Sequence, residues 1–123
     1  MNVEELREYA LSLPYAEESL PFDETTLVIK VKGKMFLLFD IESKPLSANV
    51  KCDPDKALEL REKYFFVHPG YHMSKKHWNT VVITEDVPDE LIQRWVRESY
   101  LLVVKGLKKE DREIVLRTYE SEK

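Results

Sequence analysis

Several amino acids are scarce in this chain of 123 residues, and each scarcity excludes a class of protein. The single cysteine, Cys52, excludes an intrachain disulfide and any cysteine-based zinc cluster. The three glycines, Gly33, Gly70 and Gly106, all fall where turns or a helix end are predicted. Neither a Walker A pattern nor a GxGxxG pattern is present, although phosphate-binding loops depend on spare glycines. We therefore expect neither nucleotide hydrolysis nor a bound cofactor.

Long hydrophobic runs are also missing. The longest uncharged apolar run, Met35 to Phe39, is far shorter than the roughly 20 residues that span a bilayer. The first residues are acidic and lack the basic and apolar regions of a signal peptide. We therefore expect a cytoplasmic protein that does not interact with membranes.

Positive charge is in slight deficit, with 19 basic and 23 acidic residues and a formal net charge of −4. Such a balance disfavours strong nucleic-acid binding, which usually requires a basic domain. The distribution is uneven, because residues 1–26 hold seven acids and one base, whereas residues 64–84 hold two lysines and no acid. All three histidines, His68, His72 and His77, lie in that acid-free stretch. Any nucleic-acid affinity should therefore be weak, salt-sensitive and local.

Hydrophobic periodicity predicts the order of the helices and strands. Val3, Leu6, Ala10 and Leu13 form one face of a first helix that Pro14 ends. Three strands follow, which we place at residues 25–32, 35–41 and 46–52, and the first two are joined by a tight turn at Lys32-Gly33.

Asp53-Pro54 is typical of a helix start, and that helix should run to about Lys63. A short extended piece through Val67 and a strand at residues 77–84 come next. Pro88 begins a long helix that ends near Gly106, and residues 114–119 form a final amphipathic segment. The order α-β-β-β-α-β-β-α(-α) predicts one α+β domain over residues 1–123: a two-layer fold with an antiparallel sheet of about five strands and helices on one side.

Sites for catalysis or metal binding find little support. His68 and His72 flank Pro69-Gly70, so they cannot share a helical turn, and no nearby carboxylate completes a metal shell. Cys52 is more simply an inward-facing strand residue than a nucleophile. The acid pairs Glu17-Glu18 and Asp23-Glu24 resemble solvated loops rather than paired catalytic carboxylates. We find no catalytic motif and predict no catalytic residue and no metal ligand.

The strongest local pattern is Pro69-Gly70-Tyr71-His72-Met73-Ser74-Lys75-Lys76-His77-Trp78-Asn79-Thr80. Lysine neutralises phosphate, and aromatic rings and asparagine contact sugars and bases, so the segment fits a nucleic-acid surface. A purely structural turn fits it as well, with Tyr71 and Trp78 packed on the core and Lys75-Lys76 solvated.

This segment resembles the signature of the MmcQ/YjbR family of small bacterial proteins. The resemblance extends over nearly the whole chain, including the residues around Leu13-Pro14 and Pro21-Phe22, and the segments 30–36, 46–54 and 99–107. Ser74 and Leu101 depart from the family pattern, which usually has Asn and Asp there. The resemblance implies a fold related to secretion chaperones and frataxin-like sheets, and a function described as DNA binding by analogy with a double-wing surface.

Two functional hypotheses follow. In the first, the chain is a non-enzymatic DNA-binding module in which Lys51 or Lys34 extends a patch that consists of Tyr71, His72, Lys75, Lys76, His77, Trp78 and Asn79. In the second, it is a protein-interaction or chaperone-like module that uses the sheet face or the long helix, as a monomer or a weak dimer. Binding of a small ligand near His77, Trp78 and Asn79 is a third alternative.

Overall fold

The computed structural model describes residues 1–20, 23–71 and 73–122, and these form an α+β fold with an open antiparallel sheet. The elements in chain order are α1 (Val3–Leu11), β1 (Ala16–Ser19), β2 (Thr26–Val31), β3 (Lys34–Asp40), β4 (Leu46–Lys51), α2 (Pro54–Lys63), β5 (Val67–Pro69), β6 (Trp78–Ile83), α3 (Asp89–Lys105) and α4 (Lys109–Ser121). The strand order in the sheet is β1-β2-β3-β4-β6-β5. The Pro21-Phe22 pair of the family resemblance lies outside the described residues.

The helices cover one face of the sheet, as predicted. Alternation places Leu46, Ala48 and Val50 of β4 on this covered face, where α3 packs across β2, β3 and β4. The main core between the layers includes Trp95 and Tyr100 of α3. On the opposite, open face a smaller apolar cluster consists of Val28, Leu38 and Trp78, with Met35 and Met73 packed against it. No helix within the described residues meets the length and hydropathy that crossing a membrane demands.

Three local sequence signals are confirmed by the structure. Lys32 and Gly33 both have positive φ, +50° and +82°, so β2 and β3 are joined by a two-residue hairpin turn. The Asp53 carboxylate caps α2 by accepting the Asp55 N–H at 3.1 Å, and Pro54 follows at the first helical position. Gly106 is the C-terminal cap of α3.

One strand was missed by the sequence prediction. Glu17-Glu18, expected in a loop, lies in β1, which pairs with β2 at the sheet edge. The segment Ala-Glu-Glu-Ser has no β-branched or aromatic residue, so its composition gives no strand signal. Its pairing with β2 is supported from the helix layer, where Arg7 of α1 donates two hydrogen bonds of 2.6 Å to the Glu18 carboxylate. The Arg7 guanidinium lowers the pKa of the Glu18 carboxyl through these bonds.

Ser99 joins the long helix to the sheet where two strands separate. A bulge in β3 directs both Phe36 and Leu37 into the main core, and the regular pairing of β3 with β4 stops at Leu37 and Val50. The fully buried Ser99 hydroxyl donates to the Phe36 carbonyl oxygen at 2.6 Å and accepts the Lys51 N–H at 2.8 Å. One side chain thus satisfies two backbone groups that the sheet leaves unpaired.

We expect Ser99→Ala to lower the free energy of unfolding by about 1–3 kcal/mol, because it leaves a buried N–H and a buried carbonyl without partners. Thr118→Ala is the control: its hydroxyl bonds the Ile114 carbonyl on an exposed helix face, and its loss should change stability by less than about 0.5 kcal/mol. Urea unfolding followed by circular dichroism measures both. Equal effects of the two substitutions would contradict the bridging role of Ser99.

Candidate nucleic-acid interface

The described residues between β5 and β6, which are Gly70, Tyr71 and residues 73–77, lie over the open face of the sheet, and we call them the segment 70–77. At its start the Gly70 N–H donates to the Trp78 carbonyl oxygen at 2.9 Å. A Cβ at Gly70 would lie 2.8 Å from the Trp78 Cβ and 3.0 Å from its carbonyl oxygen, so the close approach requires glycine. Further along, Met73 packs on the cluster that contains Trp78. The segment is therefore fixed to the strand that follows it.

The hydrogen-bonded pair Arg61 and Asn79 connects the same segment to the covered face of the sheet. Asn79 is 1% exposed, and its Oδ1 accepts the Arg61 Nε–H at 2.7 Å. The Asn79 amide also donates to the Ala57 carbonyl oxygen of α2 at 3.3 Å. The Arg61 guanidinium reaches on to donate to the carbonyl oxygens of Lys75 and Trp78. Helix α2, strand β6 and the segment 70–77 are thus joined through one guanidinium.

Four of the predicted interface residues are exposed on this segment. Tyr71 is 51% exposed, and its ring stacks on His68 with 6.3 Å between centroids and 17° between planes. Lys75, Lys76 and His77 are also exposed, although the Lys75 ammonium donates one hydrogen bond to the Gly70 carbonyl oxygen at 3.0 Å. The predicted contact His72 lies outside the described residues.

The predicted contacts through Trp78 and Asn79 require correction, because both side chains are buried. Trp78 is 8% exposed and packs within the open-face cluster, whereas Asn79 lies on the covered face and bonds Arg61. Successive strand residues point to opposite faces, so these two neighbours cannot present their side chains on one surface. Their side chains hold the fold together, and among the described residues the exposed part of the predicted patch is Tyr71, Lys75, Lys76 and His77.

Topology adds further cations to this patch. The register pairs Val31 with Lys34 and Lys51 with Trp78, so the C-terminal ends of β2 and β4 and the N-terminal ends of β3 and β6 meet at one end of the sheet. We call this the basic sheet end; its residues are Lys32, Lys34, Lys51, Lys75, Lys76 and His77. Lys34 and Lys51 line a common groove with the rim of Trp78. The β4–α2 connection at this end also holds the exposed Asp53, whose carboxylate caps α2, but among the described residues no carboxylate forms an ion pair with the six side chains of the basic sheet end.

The opposite end of the sheet is acidic. The connections β1–β2, β3–β4 and β6–α3, together with the last residue of β3, hold a single lysine, Lys44, and six exposed carboxylates. We call this the acidic sheet end; its carboxylates are Asp23, Glu24, Asp40, Glu42, Glu85 and Asp86. This separation is not visible in the sequence, because the charges come from segments far apart in the chain. The strand order and register are needed to show which charged residues share one end of the sheet.

Groups suited to catalysis are few among the described residues. Burial raises the pKa of the Cys52 thiol to about 11, with a further contribution from the Glu98 and Asp53 carboxylates. No three described His, Cys, Asp or Glu residues are arranged to hold a metal ion. His68 lies on β5, whereas His77 precedes β6 and its carbonyl oxygen accepts the Cys52 N–H at 2.7 Å.

We expect Asn79→Ala to lower the free energy of unfolding by about 1–3 kcal/mol, because it removes the buried partner of Arg61. Lys76→Ala, at an exposed position of the same patch, should change it by less than about 0.5 kcal/mol. Urea titrations of the two variants separate a structural role from a surface role. Similar losses of stability for both variants would contradict a structural role for Asn79 and a surface position for Lys76.

We expect Cys52 to alkylate slowly in the folded chain. A pKa raised from 9.0 to about 11 leaves about 100-fold less thiolate, the reactive form, at pH 8. Mass spectrometry after timed iodoacetamide exposure at pH 8, in buffer and in guanidinium chloride, measures the difference. Equal rates in the two solutions would show that the fold does not protect the thiol.

Comparisons with known proteins agree with the fold and the sequence pattern. The YjbR family model matches residues 11–102. The uncharacterized protein YbdF of Escherichia coli O157:H7 is 38% identical over 113 residues, which cover 91% of this chain and 92% of that protein. The uncharacterized protein YjbR of Escherichia coli K12 is 32% identical over 117 residues, covering 94% and 98%.

Two solved structures share the architecture. The crystal structure of Deinococcus radiodurans protein DR2400, with a DUF419 domain, superposes with a TM-score of 0.86 at 42% identity, over 93% of this chain and 87% of that one. A Pseudomonas syringae protein superposes with a TM-score of 0.72 at 22% identity, over 83% and 98%, and shows the fold alone. The chain is therefore a member of the YjbR family of small bacterial proteins.

Proposed function

We propose that this protein is a non-catalytic DNA-contacting module that binds phosphate groups through the basic sheet end. The observation that carries the proposal is the separation of charge along the sheet, because cations on or beside four neighbouring strands lie at one end and form no ion pair within the described residues. A net charge of −4 therefore coexists with a local surface that attracts a polyanion. Adjacent strands lie about 4.8 Å apart, so cations from β2 to β6 span about 14 Å.

Individual side chains support a division of roles. Lys51 and Lys34 flank their groove, and Lys76 and His77 lie on the exposed segment; all four side chains are free of internal hydrogen bonds among the described residues. Tyr71 presents a ring that is half exposed and backed by His68, which suits stacking against a sugar or base. Lysines that contact phosphate give affinity with little sequence preference.

The protein-interaction alternative has weaker support from the same structure. The apolar stripe of α3, including Trp95 and Val96, is buried in the main core and is not available to a partner. Both sheet edges are short: β1 has four residues and carries Glu17 and Glu18, and β5 has three and ends in Pro69. Charge and proline on short edge strands disfavour the addition of a partner strand.

We expect duplex DNA to bind with strong salt dependence. Three phosphate contacts give a slope of about −2.7 for log K against log[salt], and Lys51→Ala combined with Lys76→Ala should reduce the slope by about 1.8. Fluorescence anisotropy with a short labelled duplex, titrated at several salt concentrations, measures both quantities.

The matched control is Lys44→Ala combined with Lys63→Ala. Like the Lys51/Lys76 variant, it removes two positive charges. Lys44 lies at the acidic sheet end, and Lys63 lies in the C-terminal turn of α2, which is directed toward that end. Parent-like affinity and slope are expected for this control. The proposal fails if the parent does not bind, or if the Lys51/Lys76 variant binds DNA as the control does. A labelled single strand of the same sequence tests whether stacking on Tyr71 favours unpaired bases.

A further inference from the structure

A second surface feature lies on the open face of the sheet and extends from Met35, beside the basic sheet end, to Asp40 at the acidic sheet end. It is a groove of about 490 Å³ between the sheet and the segment 70–77. This volume falls in the range of small-molecule sites, about 300–1,000 Å³. The residues that line it come from β2, β3, β4 and the segment: Thr26, Met35, Leu38, Phe39, Asp40, Asn49, Tyr71 and Met73.

The floor of the groove is apolar and adaptable. Leu38 is buried in the open-face cluster, and the half-buried Met35 and Met73 pack on that cluster from β3 and from the segment. Methionine thioethers are flexible and polarizable, so they adjust to ligands of varied outline. Tyr71 adds an aromatic ring to the lining. The floor suits an aromatic or branched apolar body.

A chain of hydrogen bonds holds the wall of the groove in place. The Tyr71 N–H donates to the Thr80 hydroxyl at 3.0 Å, and that hydroxyl donates to the Asn49 Oδ1 at 2.6 Å. The Asn49 amide in turn donates to the Leu38 carbonyl oxygen at 3.3 Å. The segment 70–77 is thereby linked to three strands, β6, β4 and β3, so the groove exists before any ligand arrives.

The polar end of the groove is negatively charged. Asp40 lies at the end of β3 opposite Thr26, and its Oδ1 accepts the Glu42 N–H at 2.8 Å. Its second carboxylate oxygen has no hydrogen-bond or ion-pair partner among the described residues. Asp23 adds a second carboxylate nearby, because its Oδ2 accepts the Thr26 hydroxyl at 3.1 Å. A cation is favoured at this end and an anion is repelled.

We propose that the groove binds a small organic ammonium ion with an aromatic or apolar body. The ammonium group lies beside Asp40 and donates to its carboxylate, and the apolar body rests on Leu38, Met35 and Met73. The Tyr71 ring offers the ligand a further aromatic contact. The two proposed sites share Tyr71, but this one depends on Asp40 at the acidic sheet end, whereas the DNA-contacting role depends on the lysines of the basic sheet end.

The probe is 2-phenylethylammonium, and its neutral analogue 2-phenylethanol is the ligand control. The chain has three methionines, so its methionine methyl NMR spectrum reports on the groove through Met35 and Met73 and on the core through Met1. We expect the ammonium probe to shift the Met35 and Met73 signals in a saturable manner and to leave Met1 unchanged. The neutral analogue should bind about two- to fivefold more weakly, as for a solvent-exposed ion pair.

The variant that tests the charge is Asp40→Asn, which keeps the Oδ1 acceptor for the Glu42 N–H. It should weaken binding of the ammonium probe about two- to fivefold and leave binding of the alcohol unchanged. Glu42→Gln removes a neighbouring charge outside the groove lining and should have a smaller effect. The Lys51/Lys76 double variant should bind the probe as the parent does.

Three results would overturn the proposal. The first is an absence of saturable shifts at Met35 and Met73. The second is equal affinity of the parent for the ammonium ion and the alcohol. The third is an Asp40→Asn variant whose affinity for the ammonium probe is unchanged. Each of these results leaves the DNA proposal intact, because that proposal depends on lysines at the other end of the sheet.

Discussion

The hydrogen bond between Arg61 and Asn79 connects the helix layer to the parts of the molecule that form the two proposed sites. Asn79 is a polar residue in the covered face of the sheet, where an unpaired amide would be strongly unfavourable. Arg61 of α2 donates a hydrogen bond to the Asn79 side chain, and its guanidinium also donates to the carbonyl oxygens of Lys75 and Trp78. The helix layer therefore determines where the segment over the open face lies. The groove beneath that segment and the cations on it both depend on this arrangement.

Local signals in the sequence predicted much of the fold. The turn at Lys32-Gly33 and the cap at Asp53-Pro54 are determined within a few residues of chain, so composition and spacing suffice to identify them. Strand β1 could not be found in this way, because it forms through backbone pairing with β2 and through Arg7, which is eleven positions from Glu18. Non-local pairing overrides weak strand propensity at such an edge.

The prediction of the site had a different weakness. The local pattern predicts Trp78 and Asn79 on one binding surface, whereas strand alternation sends neighbouring side chains to opposite faces. Applying that rule to residues 78–83 would have assigned Asn79 to the same side as Val81 and the core. The separation of charge is less accessible, because it requires knowing that Lys34, Lys51 and Lys76 meet at one end. The net charge of the chain sums both ends of the sheet, so it does not reveal that one end is basic and the other is acidic.

The two tryptophans of the chain lie on opposite faces of the sheet, Trp78 in the open-face cluster and Trp95 in the main core. Each therefore acts as an optical probe for its own layer. In single-tryptophan forms, in which the other indole is replaced by phenylalanine, the emission of Trp78 would follow loosening of the segment over the open face. The emission of Trp95 would follow separation of the helices from the sheet. The two layers can thus be monitored independently during denaturation, without any attached dye.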